Sequence, residues 1–309
     1  MFYYHIIDHD GFGTMHKLIK PLTDKYKNHI LINRNKLIDN LKRIDTDSIL
    51  IFHTSGGGNP KYINNLQRFK EYRIFLFLHT SYNFQKYKRR KKFINLLKKY
   101  SCFNNIKILV PSTTVEKDFK VKGILCRSVQ IGIGNIETNN YIYKTDKKLS
   151  KYYDRIITTC SSPKDDYKYI KGIDVFTKII LKNKLREHAL ILGINDNSNI
   201  ESINLNEREF LNVLYHSKMY IQFSRMETYN VTAIQAKRLK VPVLLLRAEG
   251  NYDCMKGNIY NSVEEVESKM LQILKKNLHD NQLTNDLYND SKVRESISKF
   301  KKSLEEIEI

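Results

Sequence analysis

Short apolar runs alternate with polar stretches of helical period along the whole chain. Phe2 to Ile7, His29 to Ile32, Ser48 to His53, Arg73 to His79, Ile106 to Val110 and Ser128 to Ile133 read as strands of a first half. Arg155 to Thr159, Ala189 to Gly193, the run from Met219 and Val241-Pro242-Val243 read as strands of a second. Helices are expected at Met15 to Lys27, from Lys61, after the cap Pro111-Ser112-Thr113-Thr114, at Gly172 to Lys182, Glu207 to His216, from near Tyr229, at Val263 to Lys276 and over 287–309. Strand followed by helix, repeated, predicts parallel sheets with covering helices. The unbroken apolar reading of 73–79, RIFLFLH, is that of a strand buried on both faces.

At 309 residues the chain is longer than one compact core favours, and the stretch 135–151 is polar and unpatterned. This predicts two Rossmann-like α/β domains facing each other across a cleft, at 1–140 and 150–286, with the helix 287–309 packing back on the first. A hydrophobic fraction of 41% suits packed cores and is too high for a disordered chain. No run approaches the roughly 18 apolar residues that cross a bilayer. The start, MFYYHIIDHDGFG, has no basic segment or small-residue cleavage site and reads as a first strand. Cys102, Cys126, Cys160 and Cys254 lack metal-ligand spacing and read as free thiols of a reducing compartment, so a cytoplasmic location is expected.

The most informative stretch is Met219 to Met255. An apolar strand leads to Ser224 and Glu227, then to a helix containing Gln235 and Ala236, then to Pro242-Val243 and a Gly250-Asn251 turn. A strand running into a helix N-terminus makes an anion site, and a carboxylate beside it can hold the hydroxyls of whatever carries the anion. Other motifs fall in order around it: Gly11-Phe12-Gly13-Thr14, Leu109-Val110-Pro111-Ser112, Val129 to Asn135, Lys171-Gly172-Ile173-Asp174 and Ala189 to Gly193. The ordered set resembles the GT-B retaining glycosyltransferases of glycosyltransferase group one (family four), over nearly the whole chain. Alone, each motif has a plainer structural counterpart: a turn for Gly-x-Gly, a solvated Lys before a helix, a helix-dipole partner for Glu227.

The resemblance implies a metal-independent transfer of sugar from a nucleotide-diphosphate sugar, a UDP-sugar first among donors, to a hydroxyl acceptor, without a further cofactor. It implies that Lys171 neutralises the leaving diphosphate, that Glu227 and His79 hold the transferred sugar, and that Gly11 and Gly13 face the donor phosphates. Gly250 and Asn251 would lie over the sugar through their backbone amides. The chain departs from the family at several positions. Thr228-Tyr229-Asn230 replaces a Gly-Phe-Gly whose glycines let backbone amides approach the diphosphate. Gln235 stands where a Glu usually holds the ribose, and an amide lacks charge-assisted strength. The upstream Arg is missing; Lys164 is the substitute, with Lys168 a rival, and neither reproduces a bidentate fork.

The net charge is +20, from 53 Lys and Arg against 33 Asp and Glu, and the pI is about 9.6. A field of this sign attracts polyanions, although a chain rich in Lys, Asn, Ile and Tyr also bears the mark of AT-rich coding. The segment 86–100 has no acid, and Phe93, Leu96, Leu97 and Tyr100 share one helical face with cations around it. That pattern suits an anionic membrane surface, or else packing on the protein's own sheet with a basic rim. The acceptor reading that follows is a cell-envelope glycan or glycolipid made by a peripheral membrane enzyme. Two rivals stay open: transfer to nucleic-acid bases, and a non-catalytic GT-B subunit supporting an active partner.

Overall fold

A computed structural model describes residues 1–7, 14–33, 36–54, 66–79, 87–129, 140–194, 199–227, 230–248, 255, 258–276 and 290–307. Gly11, Gly13, Tyr229, Gly250 and Asn251 lie outside the described residues, as do the helix expected from Lys61 and the strand residues 130–133. The chain divides into two compact units, Met1–Asn135 with Asn289–Ile309, and Ile136–Tyr288.

In the first unit, strands β1 (Tyr3–Ile7), β2 (His29–Asn33), β3 (Ile49–Thr54), β4 (Arg73–Leu78), β5 (Ile106–Val110) and β6 (Arg127–Ser128) form one parallel sheet. Their order is β2-β1-β3-β4-β5-β6. Strands β3 and β4 are buried on both faces, from Ile49 to His53 and from Ile74 to Leu78, as central strands of a parallel sheet are. The helices are α1 (Thr14–Lys25), α2 (Leu37–Leu41), α3 (Tyr87–Ser101) and α4 (Thr113–Val121). Helix α4 starts where the sequence predicts, with the Ser112 hydroxyl accepting the Val115 N–H at 3.2 Å. In α3, Phe93, Leu97 and Tyr100 are buried in the core while Lys98 and Lys99 are exposed. The apolar face of the basic helix is therefore turned onto its own sheet rather than to a membrane. Among the described residues no helix is long and apolar enough to cross a bilayer.

The second unit repeats the architecture. Its strands are β7 (Ile156–Thr159), β8 (Ala189–Leu192), β9 (Ser202–Ile203), β10 (Met219–Gln222), β11 (Val243–Leu246) and β12 (Ile259–Tyr260). They are parallel in the order β12-β11-β10-β7-β8-β9, so chain direction across the sheet reverses between β7 and β10. The helices are α5 (Asn140–Tyr143), α6 (Asp165–Lys171), α7 (Ile173–Lys182), α8 (Glu207–Tyr215), α9 (Val231–Arg238) and α10 (Val263–Lys276). Helix α11 (Asp290–Glu305) belongs to the first unit and packs on α1, with Ile297, Phe300 and Leu304 buried.

Two expectations change. The polar stretch 135–151 is tied down from residue 140 onward rather than acting as a free linker. The buried Asn212 amide donates to the Ile142 and Lys144 carbonyls and its oxygen accepts from the Tyr153 hydroxyl at 2.6 Å. Ile142, Leu149 and Tyr152 supply the apolar anchors, hidden in sequence by the surrounding Lys and Asn. The segment before Gly172, expected as loop, contains α6. Asp165 and Asp166 complement its N-terminus, Lys168 and Lys171 its last turn, and Gly172, at φ 69°, ends it.

Candidate functional site

The reversal between β7 and β10 is the place where open parallel sheets receive ligands, beyond the carboxyl ends of the strands. Two of the expected residues meet there. Lys171 is the last residue of α6, reached from β7; Glu227 follows β10 by a short loop. Lys171 Nζ lies 2.6 Å from Glu227 Oε2, with side chains 14% and 6% exposed. The Ser224 hydroxyl donates to the same carboxylate oxygen at 3.3 Å. Burial acts to lower the Lys171 pKa, but the Glu227 charge, aided by Tyr167 and Cys160, outweighs it and holds the ammonium above the usual lysine range. The pair is thus a fixed cation beside a fixed anion at the sheet's ligand edge.

The local sequence explains why the two converge. A Cβ at Gly172 would collide with the Phe223 carbonyl, and the residue is left-handed, so only glycine lets α6 and α7 press against the end of β10. Arg225, two residues before Glu227, locks the contact. Its guanidinium donates to both Asp174 oxygens at 2.7 Å, donates to the Tyr169 carbonyl, and stacks over the Tyr169 ring at 3.9 Å. Its backbone N–H also donates to the Ile170 carbonyl at 2.9 Å. Those hydrogen bonds hold Asp174 below the usual carboxylate range. Arg225 is the residue that sequence reasoning missed. Its signal was the Asp174 of Lys-Gly-x-Asp, a carboxylate in need of a fork-shaped partner.

Other expected residues of this unit are differently placed. Asn230 caps α9, its side-chain oxygen accepting the Ala233 N–H at 3.0 Å while its amide donates to Gln222 at 2.6 Å. That side chain is buried and committed to the fold, within a network in which the Tyr220 hydroxyl also donates to Gln222. Gln235 is buried one turn further along α9. Lys164 is exposed at the N-terminus of α6, and Lys168 is half-buried on it.

In the first unit His79 follows the end of β4, and it is the open end of a row of four histidines. His29 Nδ1 is 3.0 Å from His5 Nε2, His5 Nδ1 is 3.0 Å from His53 Nε2, and His53 Nδ1 is 2.9 Å from His79 Nε2. The strand registers put each ring two residues further toward the carboxyl edge than its neighbour, so all four share one face. Burial lowers the pKa of every ring: His29 to about 4, His79 to about 3, and His5 and His53 well below the ordinary value, where neighbouring histidines add to the effect. All are neutral at pH 7. His5 and His29 were not singled out in sequence; their signal is one histidine in or beside each of the first four strands. Among the described residues no group of His, Cys, Asp and Glu could hold a metal ion.

No protein-family model and no curated sequence matches the chain. Solved structures do, over nearly its whole length. Trehalose-6-phosphate synthase OtsA is 10% identical with a TM-score of 0.63, covering 98% of this chain and 96% of that one. Anabaena HepE, solved in complex with UDP-glucose, is 9% identical with a TM-score of 0.67 and 98% of each chain covered. The E. coli trehalose-6-phosphate protein bound with UDP-2-fluoro glucose is 10% identical with a TM-score of 0.62, covering 98% of this chain and 96% of that one. At such identities the likeness is one of fold, and together with the two parallel six-stranded sheets it places this chain in the GT-B fold.

Proposed function

We propose that the protein is a retaining, metal-independent glycosyltransferase that moves a sugar from a nucleotide-diphosphate sugar to a hydroxyl acceptor. The observation that carries the reading is the Lys171–Glu227 pair at the strand reversal of the second sheet. The solved complexes of HepE with UDP-glucose and of the E. coli protein with UDP-2-fluoro glucose support a UDP-sugar as donor. Lys171 neutralises charge on the departing diphosphate, a role in which a pre-placed cation in a water-poor site is worth most. Glu227 accepts hydrogen bonds from sugar hydroxyls while keeping the ammonium in place. The anomeric C–O bond to the diphosphate breaks, and the acceptor oxygen bonds to the same face of the sugar. The acceptor proton passes to the leaving phosphate oxygen, so no side chain need act as nucleophile.

His79 contributes to the sugar site, Gln235 to the ribose, and Gly11, Gly13, Lys164, Tyr229, Asn230, Gly250 and Asn251 complete the donor site in this reading. Because the Asn230 side chain caps α9, its part falls to its backbone. The acceptor is a cell-envelope glycan or glycolipid, approached at the inner face of a membrane through the basic rim of α3. One residue favours a second reading: Gln235 in place of an acid suits a non-catalytic subunit that binds sugars and supports an active partner.

Hydrolysis across UDP-, GDP-, ADP- and CMP-sugars in the presence of EDTA tests the proposal. Slow release of one nucleotide, lost in Glu227→Ala and Lys171→Ala, is the expected result. No release from any donor, unchanged in Gln235→Glu, supports the non-catalytic subunit instead.

A further inference from the structure

The histidine row has one closed end and one open end. His29, His5 and His53 are buried, and His29 Nε2 has no hydrogen-bond partner among the described residues. Tyr3 stacks on the His29 ring at 4.6 Å, while Glu305 and Lys301 of α11 act on it only through space. His79 is half-buried, beyond the last residue of β4. A neutral imidazole carries one N–H and one lone pair. Each of the three links needs one of each, so the four protons must all sit on Nδ1 or all on Nε2.

The closed end decides between them. With every proton on Nε2, His29 would bury an N–H with nothing to receive it. With every proton on Nδ1, His29 buries only a lone pair, and orphaned buried N–H groups are the rarer and costlier case. We propose that His29, His5 and His53 are positioning residues that fix the proton of His79 on Nδ1, so that His79 offers an N–H donor at the carboxyl edge of the first sheet. In that state His29 donates to His5, His5 to His53 and His53 to His79, all through Nδ1–H. His79 Nδ1–H then remains for an acceptor oxygen. The row does not conduct protons, because among the described residues its buried end meets neither a source nor a sink.

The identity of that acceptor rests on the proposed function: a hydroxyl oxygen of the donor sugar. A substrate able only to donate to this ring is disfavoured, since with Nδ1 protonated and Nε2 engaged by His53 the ring has no free lone pair.

Long-range 1H–15N spectra of the full chain labelled at histidine report the tautomer of each ring without any ligand. The expected spectrum shows four Nδ1–H rings, the form free histidine favours less. An Nε2–H signature at His79 in the wild-type protein overturns the proposal. In His53→Phe the ring that donates to His79 is gone, and His79 is expected to exchange between both forms. Nucleotide-sugar hydrolysis should then fall about fivefold, the worth of one neutral hydrogen bond, with UDP affinity unchanged. A His79 signature unmoved by His53→Phe also overturns it. Nδ1–H at all four rings in a protein that binds no nucleotide sugar upholds the row and removes the proposed function, so the two failures are separable.

Discussion

Lys171 and Glu227 form a short ion pair in a nearly closed setting, and Arg225 and Gly172 exist to keep it there. Removing one member of a buried pair strands the other charge. Glu227→Ala is therefore expected to cost about 3–5 kcal/mol of stability, read from urea unfolding. The double variant with Lys171→Ala should recover part of that loss; a purely additive double variant would contradict the coupling. Gly172→Ala meets both a left-handed backbone and the Phe223 carbonyl, so it should destabilise by more than the ~1 kcal/mol of an ordinary strained glycine site. Wild-type stability in Gly172→Ala would show that the close approach is not required. Lys171, Gly172, Asp174 and Glu227 were legible in sequence as a motif, whereas Arg225 was not. Its role depends on a loop crossing from β10 to α6, and such tertiary pairing leaves no periodicity to read.

At the scale of elements, strands were read from unbroken apolar runs, and the central ones from 73 to 78 and 106 to 110 fall where those runs are. Helix α6 escaped because Ser161-Ser162-Pro163 reads as loop, and its short amphipathic face buries nothing fully. The histidine row escaped because a histidine in a strand gives no sign of its neighbours until register is known. Its consequence for stability has a definite sign. The folded rings stay neutral, His29 down to about 4 and His79 to about 3, while unfolded histidine protonates near 6.5. Between those values the unfolded chain binds more protons, so stability is whole above pH 6.5 and falls as pH drops below it. From pH 7 to 5.5 the loss should be about 1 kcal/mol per ring, visible as a falling urea midpoint. A midpoint independent of pH in that window would mean that the folded rings take up protons as readily as the unfolded ones.

At the scale of the molecule, α11 is distant in sequence from the unit it completes. Phe300 packs edge-on against Phe77 at 6.2 Å, and the Lys25 ammonium and Tyr26 hydroxyl both hydrogen-bond the Ser298 hydroxyl. Deleting residues 290–309 should lower the unfolding temperature of the first unit and spare the second, which calorimetry of the deletion variant can separate. The sequence's even alternation of strand and helix made the two-sheet plan legible. The basic excess did not identify a partner, because α3 turns Phe93, Leu97 and Tyr100 inward and, among its described side chains, exposes Asn95, Lys98 and Lys99. If that charge serves only solubility, DNA should not retain the protein, whereas retention lost steeply with salt would point to phosphate contacts and a nucleic-acid acceptor.

If Lys171 and Glu227 form the donor site, titration of UDP-glucose into the folded protein will register both. Wild-type protein should bind it, and Lys171→Ala should bind at least about tenfold more weakly, the worth of one charge-assisted hydrogen bond. Equal affinity in wild type and Lys171→Ala, with both folded, would contradict that assignment.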